Sequence, residues 1–271
     1  MILLSQNQSK PIKIIQKKQG AVMLTEERYN KIMSVLFTNS SVSVAELTEI
    51  TGASESTIRR DLLTLAKMGK LKKVHGGAVS TEPSILLQEP DMAEKINLNT
   101  VAKERIAKYA AETIRPNDFV FIDAGTTTGK MIAYITQKDV TFVTNAFNHA
   151  HLLARRGFKV YLTGGEVKPT TEALVGVSCL ETINRYNFTK CFLGTNGIHT
   201  DIGYTTQNID EASVKRAAVQ KSFVTYILAD HSKFGKSAAV TFADIRNACI
   251  LTDKLPDDRY KEITVVKEVG E

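Results

Sequence analysis

The chain has 271 residues, of which 43% are hydrophobic and 24% are charged, and its formal net charge is +6. This composition is typical of a soluble globular protein with one large or two ordinary domains. Apolar runs are strand-sized and no signal-peptide core is present, so we expect a cytoplasmic protein without membrane contact. The three cysteines lack metal-binding spacing, so we predict neither a disulfide framework nor a metal site.

Residues 1–22 form a segment distinct from the rest of the chain. They contain four lysines and no acidic residue, and they lack hydrophobic periodicity. We predict a disordered or non-native N-terminal extension. The codons for residues 19–22 can carry a ribosome-binding sequence, which leads to the hypothesis that translation starts at Met23. A basic arm lying on DNA phosphates is the alternative.

The segment from Thr25 predicts three helices. Apolar residues recur at helical spacing after Thr25. A short second helix is expected over residues 44–50, with Leu47 and Ile50 facing inward, and a third over residues 55–68. Two short helices joined by a tight glycine turn form a helix-turn-helix, whose second helix enters the major groove of DNA.

The third helix and a hairpin over residues 71–79 carry the predicted DNA contacts of a winged helix-turn-helix domain over residues 23–79. Residues 55–79 contain six basic and two acidic residues, which concentrates positive charge there. Hydroxyl and basic side chains suit phosphates and base edges. The candidates are Ser54, Ser56, Thr57, Arg59, Arg60, Lys72, Lys73 and His75. A protein-interaction module with a solvated basic face is the alternative.

Residues 80–95 contain two prolines and little periodicity, which indicates an interdomain linker. A helix over residues 101–114 is expected to open the second domain, residues 96–271. From Phe119 onward predicted strands and helices alternate, which indicates an α/β domain with a mostly parallel sheet.

Polar residues and glycines gather after the predicted strands, where open α/β sheets bind ligands. The segment D-A-G-T-T-T, residues 123–128, joins a strand end, a glycine and three hydroxyls at a helix start. Backbone amides there favour a phosphate, although a helix-capping turn without a ligand uses the same residues. The spacing from Gly125 to Lys130 does not fit a nucleotide-binding P-loop, and the Gly-Gly-Glu at 164–166 is too short for a dinucleotide fingerprint. We therefore expect no cofactor.

Motifs along the chain resemble the DeoR family of bacterial repressors. They are T-I-R-R-D-L at 57–62, H-G-G-A at 75–78, D-A-G-T-T-T at 123–128, G-T-N-G-I at 194–198 and A-D-H-S-K-F-G at 229–235. The resemblance covers about residues 23–265. It implies a transcriptional repressor that binds operator DNA of sugar-catabolic genes. It also implies an effector domain similar in fold to ribose-5-phosphate isomerase.

The resemblance further implies a site for a phosphorylated sugar, with residues 125–128 on the phosphate. The implied effector-binding residues are Asp123, Gly125, Thr126, Thr127, Thr128, Asn145, Gly164, Gly165, Glu166, Lys168, Asn196, Gly197, Asp210, Glu211, Lys215 and Lys233. The motifs at 190–199 and 203–206 look most like fructose-operon repressors, which implies fructose 1-phosphate as the effector. Tagatose 6-phosphate, glycerol phosphate and other sugar phosphates are the alternatives.

A sensor needs no turnover, so we expect no enzymatic activity and no catalytic residue. One alternative is a sugar-phosphate isomerase in which Asp123, Glu211 and Lys215 supply the acid and base. Another is a helix-turn-helix scaffold that only recruits proteins. One recognition helix reads too few base pairs for genomic specificity. We therefore expect a homo-oligomer on repeated half-sites of double-stranded DNA.

Overall fold

The computed structural model describes residues 23–39, 41–80, 84–85 and 92–270, so the predicted extension, residues 1–22, lies outside the described residues. The N-terminal domain contains three helices, α1 (Thr25–Asn39), α2 (Val44–Thr51) and α3 (Glu55–Lys67), with strands β1 (Ser41–Ser43), β2 (Leu71–Val74) and β3 (Gly77–Ser80). The strands form an antiparallel sheet in the order β1-β3-β2. These elements confirm the predicted winged helix-turn-helix.

Local sequence signals set the helix boundaries of this domain. Ser43 and Glu46 form a capping box at the start of α2: the Glu46 amide donates to Ser43 Oγ at 3.2 Å, and the Ser43 amide donates to Glu46 Oε2 at 2.8 Å. Gly52 ends α2 with φ 67°, a left-handed conformation that glycine adopts at little cost. Ser54 caps α3 by accepting the Thr57 amide at 3.3 Å.

Two details of this domain differ from the sequence prediction. Ile50 is 40% exposed, so the prediction that it faces inward is wrong, whereas Leu47 is fully buried. Strand β1 was not predicted because three residues are too short for a periodicity signal. It pairs with β3 at Gly77, where a Cβ atom would lie 2.2 Å from the Val42 carbonyl oxygen.

The segment predicted as a linker, residues 80–95, contains regular structure. Strand β4 (Ser84–Ile85) and the start of helix α4 (Met92–Asn97) lie within it. The backbone of β4 contacts α1 of the N-terminal domain. Part of this segment is therefore packed, and it does not act as a plain spacer.

The C-terminal domain is built on one seven-stranded sheet. Its remaining elements are α5 (Thr100–Glu112), β5 (Phe119–Ile122), α6 (Thr126–Met131), β6 (Thr141–Thr144), α7 (Phe147–Arg155), β7 (Lys159–Leu162), β8 (Glu166–Lys168), β9 (Ala173–Val175), α8 (Val177–Asn184), β10 (Phe188–Gly194), β11 (Gly197–His199), β12 (Gly203–Thr206), α9 (Ile209–Gln220), β13 (Ser222–Leu228), β14 (Lys236–Ser237), β15 (Val240–Ala243), β16 (Cys249–Thr252), α10 (Arg259–Ile263) and β17 (Val266–Glu268). Short 3₁₀ turns cover Ile132–Tyr134, His231–Lys233 and Ile245–Asn247.

The large sheet has the order β17-β16-β13-β10-β5-β6-β7, and each neighbouring pair is parallel. This confirms the predicted α/β class with a mostly parallel sheet. One face packs against residues of α5, α6 and α7, and the other against residues of α8 and α9. From β5 the chain adds β6 and β7 on one side, and from β10 it adds β13, β16 and β17 on the other. The order therefore reverses between β5 and β10, and ligands bind at such switch points in open α/β sheets.

Smaller antiparallel pairings surround this point. Strands β11, β12 and β15 form a three-stranded sheet, and β8 pairs with β9. Strand β14 pairs in parallel with β4 of the interdomain segment. Within the described residues, no helix combines the length and apolar character needed to cross a membrane.

Candidate functional site

The predicted DNA contacts lie on one exposed part of the N-terminal domain. All eight residues are exposed except Thr57, which is half-buried. Ser54 Oγ lies 3.0 Å from Ser56 Oγ and 2.9 Å from Thr57 Oγ1, so three hydroxyls gather at the start of α3. The start of a recognition helix is the part that contacts bases in this motif.

Two neighbouring arginines on α3 differ in their contacts. Arg59 pairs with Glu55, one turn earlier, at 3.0 Å, and both side chains are more than half exposed. Within the described residues, the Arg60 guanidinium has no hydrogen-bond or ion-pair partner. An exposed, uncommitted guanidinium suits bidentate recognition of guanine or phosphate.

A cleft opens at the carboxyl ends of β5 and β10, where the strand order reverses. It is lined by residues 123–127 after β5, residues 194–196 after β10, Glu211 and Lys215 on α9, Leu228, Asp230 and Lys233 at and after the end of β13, Thr171, and Lys95 and Lys103 on α4 and α5. It encloses about 640 Å³ of empty space, including its opening to solvent.

Asp123 and Lys215 form the buried base of the cleft. The Lys215 ammonium donates to Asp123 Oδ2 and, at 3.1 Å, to the Gly194 carbonyl. Asp123 Oδ2 also accepts the Gly194 amide at 3.1 Å. Both side chains are more than 90% buried. The pair therefore joins the ends of β5 and β10 to helix α9.

Glu211 occupies a second hydrogen-bonded position in the cleft. Its Oε1 accepts from Lys168 at 3.0 Å and from Thr171 at 2.6 Å, and its Oε2 accepts from Thr206 at 3.3 Å. Asn208 is the N-cap of α9, and its side chain accepts hydrogen bonds from the Asp210 and Glu211 amides. Both carboxylate oxygens of Glu211 are thus engaged.

The loop after β5 presents backbone to the cleft. Gly125 is the N-cap of α6 and offers no side-chain cap to the first-turn amides. Thr128 turns inward, with Oγ1 2.7 Å from the Asp123 carbonyl and 2.9 Å from the Gly125 carbonyl. Asn145 Oδ1 accepts the Ala124 amide at 3.0 Å. Thr128 and Asn145 therefore hold the loop shape without lining the cleft.

His149 on α7 lies beneath this loop and was not singled out from the sequence. Its ring is buried, and its Nδ1 atom has no hydrogen-bond partner among the described residues. Burial lowers the pKa of His149 to about 4, although the Asp123 charge and the Gly125 carbonyl oppose the shift. A Cβ atom at Gly129 would lie 2.7 Å from His149 Nε2, so the ring needs a glycine there.

The far wall of the cleft combines lysines with one carboxylate. Asp230 Oδ1 accepts from Asn99 at 2.8 Å and from Ser232 Oγ and the Ser232 amide. Burial favours the neutral acid, but these hydrogen bonds and the Lys233 charge outweigh it and lower the pKa of Asp230. Lys103 is buried beside it and donates to the Lys95 carbonyl.

The structure brings half of the predicted effector-binding residues into the cleft. They are Asp123, Gly125, Thr126, Thr127, Asn196, Glu211, Lys215 and Lys233. Thr128, Asn145 and Lys168 lie behind it and hold its wall.

Five predicted residues lie outside the cleft lining: Gly164, Gly165, Glu166, Gly197 and Asp210. Glu166 and Asp210 are exposed, and a Cβ atom at Gly165 or Gly197 would lie within 2.4 Å of a backbone oxygen. Gly165 and Gly197 are therefore needed for close chain packing. These five residues do not line the cleft in this structure, and their contact with a ligand stays a prediction.

Sequence reasoning missed eight residues of the lining: Lys95, Lys103, Ala124, Thr171, Gly194, Thr195, Leu228 and Asp230. Two of them carried a signal. Lys103 lies one turn before Ile106 and Ala107 on the apolar side of its helix, where a lysine is unusual. Asp230 comes just after the apolar run that forms β13, as Asp123 comes after β5, and polar residues at strand ends are the basis for predicting Asp123.

Comparison with known proteins places both domains in one family. The family described as "DeoR-like helix-turn-helix domain" matches residues 28–84, and the family described as "DeoR C terminal sensor domain" matches residues 98–254. A protein of Bacillus subtilis (strain 168), described as "Uncharacterized HTH-type transcriptional regulator FruR", is 45% identical over 91% of this chain and 99% of its own length.

Other relatives are regulators as well. The HTH-type transcriptional regulator GlpR of Haloferax volcanii is 37% identical over 92% of this chain and all of its own length. A lactose phosphotransferase system repressor of Staphylococcus epidermidis is 32% identical over 90% of this chain and 98% of its own.

Among solved structures, ribose 5-phosphate isomerase A from Neisseria gonorrhoeae matches with a TM-score of 0.36 and 17% identity, over 49% of this chain and 52% of that chain. A likeness of this extent says nothing about activity. The two domain matches and the identity to full-length regulators decide the family. The chain belongs to the DeoR family of transcriptional regulators and carries both the helix-turn-helix and the sensor domain of that family.

Proposed function

We propose that this protein is a cytoplasmic repressor of a sugar-catabolic operon, and that a phosphorylated sugar in the cleft controls its affinity for operator DNA. One observation carries the proposal. A lysine-rich cleft lies at the switch point of the sheet, in a chain that also presents an exposed Arg60 on a recognition helix. We propose a DNA-binding domain over residues 23–79 and an effector domain over residues 96–271, joined by the segment between them.

The cleft has chemistry suited to both ends of a sugar phosphate. Lys95, Lys103 and Lys233 offer positive charge to a phosphate, next to the first turn of α6. Asp123, Asn196 and Glu211 are positioned to accept hydrogen bonds from sugar hydroxyls. We propose that the eight predicted residues of the lining, together with Lys95, Lys103, Thr171, Thr195 and Asp230, form the effector site.

Fructose 1-phosphate is the effector we propose. The motifs over residues 190–199 and 203–206 resemble fructose-operon repressors, and they run through β10, β11 and β12 beside the cleft. Thr206 of this region donates to Glu211, which links the motif to the site.

The decisive experiment is a thermal shift measurement on the purified full chain. The panel comprises fructose 1-phosphate, tagatose 6-phosphate, glycerol phosphate and their unphosphorylated parents. A ligand that binds the native state raises the melting temperature. We expect a shift with one phosphate ester and none with its parent. A panel without any shift would contradict the sensor proposal.

We further propose that the cleft does not catalyse isomerisation. A general base needs an available lone pair beside the reacting carbon. Asp123 Oδ2 and both oxygens of Glu211 are held in place by Lys215, Lys168 and neighbouring groups, which suits fixed acceptors for sugar hydroxyls better than a base that takes up a proton during a reaction. A coupled assay that detected isomer formation above the uncatalysed rate would overturn this part.

Repression requires binding to double-stranded DNA by more than one copy. We propose a homo-oligomer on repeated half-sites, since one recognition helix covers too few base pairs. Sedimentation of the protein with and without the DNA upstream of its own gene measures the number of copies. A protein that is monomeric in both conditions would contradict the proposed homo-oligomer. Failure to bind this DNA at low salt would favour a scaffold that recruits proteins.

A further inference from the structure

The hairpin formed by β8 and β9 supplies one wall of the effector cleft. Its loop, residues 169–172, is closed by a hydrogen bond from the Glu172 amide to the Lys168 carbonyl at 2.8 Å. Thr171 in this loop is 6% exposed and lines the cleft, whereas the neighbouring Thr170 is exposed and does not line it. The loop therefore directs one of its two adjacent threonines to the cleft.

The hydrogen bond that Thr171 donates determines what its hydroxyl can bind next. Thr171 Oγ1 donates to Glu211 Oε1 at 2.6 Å, a length typical of a charge-assisted O–H···O⁻ bond. A hydroxyl has one proton and two acceptor lone pairs, and this proton is already used. Toward a ligand in the cleft, the Thr171 oxygen therefore acts only as an acceptor.

Glu211 has acceptor capacity beyond the donors that surround it. Lys168 and Thr171 both donate to Oε1, so the two lone pairs of that atom are occupied. Among the described residues, Oε2 accepts only from Thr206 Oγ1, at 3.3 Å. Thr206 Oγ1 lies equally far, 3.3 Å, from Asn196 Oδ1, so its single proton binds one of these two acceptors at a time. Oε2 therefore has room for a further donor.

We propose that Thr171 and Glu211 form a subsite that selects ligands by their hydroxyl groups, and that Thr171 is the residue that discriminates between them. One sugar hydroxyl donates to Thr171 Oγ1, and a second donates to Glu211 Oε2. The inference rests on the proposed function and adds the part of the ligand that is recognised. A deoxy analogue brings no proton to this position and leaves a buried acceptor unpaired, and sites of this kind reject such analogues strongly.

The test compares Thr171→Val with Thr170→Val in the full chain. Valine keeps the branched shape of threonine and removes the hydroxyl, and Thr170 is the exposed neighbour in the same loop. Calorimetric titration measures affinity for fructose 1-phosphate and for inorganic phosphate. We expect Thr171→Val to weaken binding of fructose 1-phosphate at least tenfold and of inorganic phosphate less than twofold. Thr170→Val should change neither affinity by more than twofold.

Thr171→Ser separates recognition by the hydroxyl from packing of the loop. It keeps the hydroxyl and removes a methyl group, so we expect its affinity for fructose 1-phosphate to stay within threefold of that of the wild-type protein. Equal weakening of both ligands by Thr171→Val would show a general disturbance of the cleft. Wild-type affinity of Thr171→Val for the ester would show that the hydroxyl binds no ligand. Either result would overturn the subsite.

Monodeoxy analogues of fructose 1-phosphate provide a second readout, which in the wild-type protein does not depend on any variant folding. We expect the loss of one ligand hydroxyl to weaken binding to the wild-type protein at least tenfold and to Thr171→Val less than threefold, because the variant lacks the acceptor for that hydroxyl. If every analogue bound the wild-type protein within threefold of the parent ester, the subsite would be wrong and the sensor function would stand. A wild-type protein that binds no phosphate ester of the panel would instead contradict the proposed function itself.

Discussion

Arg28 and Asp61 form a two-contact ion pair that joins α1 to the recognition helix. Arg28 Nε donates to Asp61 Oδ2 at 2.6 Å, and Arg28 Nη2 to Asp61 Oδ1 at 3.2 Å. Both side chains are more than 90% buried. The hydrogen bond to Asp61 raises the pKa of Arg28 despite the cost of burial. The pair joins the buried side of α3 to α1, whereas Arg60, the preceding residue on α3, is exposed.

Asp61→Asn is expected to weaken operator binding without affecting the effector cleft. It leaves the buried Arg28 guanidinium without its countercharge, and breaking a buried pair in this way costs roughly 3–5 kcal/mol. Thermal unfolding should show a lower midpoint temperature for the transition of the N-terminal domain. Fluorescence anisotropy should show weaker DNA binding.

Glu49→Gln is the matched control for this variant. It removes one negative charge from an exposed position on α2 and disturbs no described ion pair. Surface substitutions of this kind stay within about 0.5 kcal/mol. If Asp61→Asn behaved like Glu49→Gln in both measurements, the pair would have no organising role.

The sequence predicted local elements well and non-local placements poorly. The three N-terminal helices and the alternation of strands and helices from Phe119 follow from periodicity and end signals, which depend on neighbouring residues. The position of Glu166 depends instead on the β8–β9 hairpin, which directs it to solvent. Lys103 reaches the cleft only because α5 packs across the sheet face. A rule based on strand ends finds Asp123 in the cleft lining. It cannot show that Glu166 faces solvent or that Lys103 lines the cleft.

Arg60→Ala and Lys215→Met are expected to separate the two binding activities. Arg60→Ala should abolish operator binding and leave the affinity for the sugar phosphate unchanged, because Arg60 is exposed and remote from the cleft lining. Lys215→Met should do the reverse, since the cleft loses a buried ammonium. Anisotropy and calorimetry on both proteins check this.

Folding of the Lys215 variant needs its own control, because the change leaves Asp123 buried without its cation. The double variant Asp123→Asn, Lys215→Met removes both charges. It is expected to regain most of the lost stability and still to lack effector binding. Equal loss of both activities in each single variant would refute two separate sites.

Gly129→Ala is expected to destabilise the sensor domain by roughly 1–3 kcal/mol, the usual cost of overpacking. The new methyl group would lie 2.7 Å from His149 Nε2. Adding His149→Ala removes the opposing ring, so the double variant should be less destabilised than the sum of the two single changes. Denaturant unfolding of the four proteins gives the coupling free energy. Additive effects would show that the two residues do not oppose each other.

His149 is expected to make the sensor domain less stable in mild acid. Its pKa is lowered from 6.5 to about 4 by burial, so between these values the unfolded chain binds a proton that the native protein does not. The free energy of unfolding therefore falls as the pH drops from 6.5 towards 4, by about 3 kcal/mol over that range. His149→Phe should remove this part of the pH dependence, and His151→Phe, at an exposed position on the same helix, should retain it. Denaturant midpoints at pH 7.5, 6, 5 and 4 measure the slope, and equal slopes for His149→Phe and the wild-type protein would contradict a neutral, buried imidazole beneath the loop that follows β5.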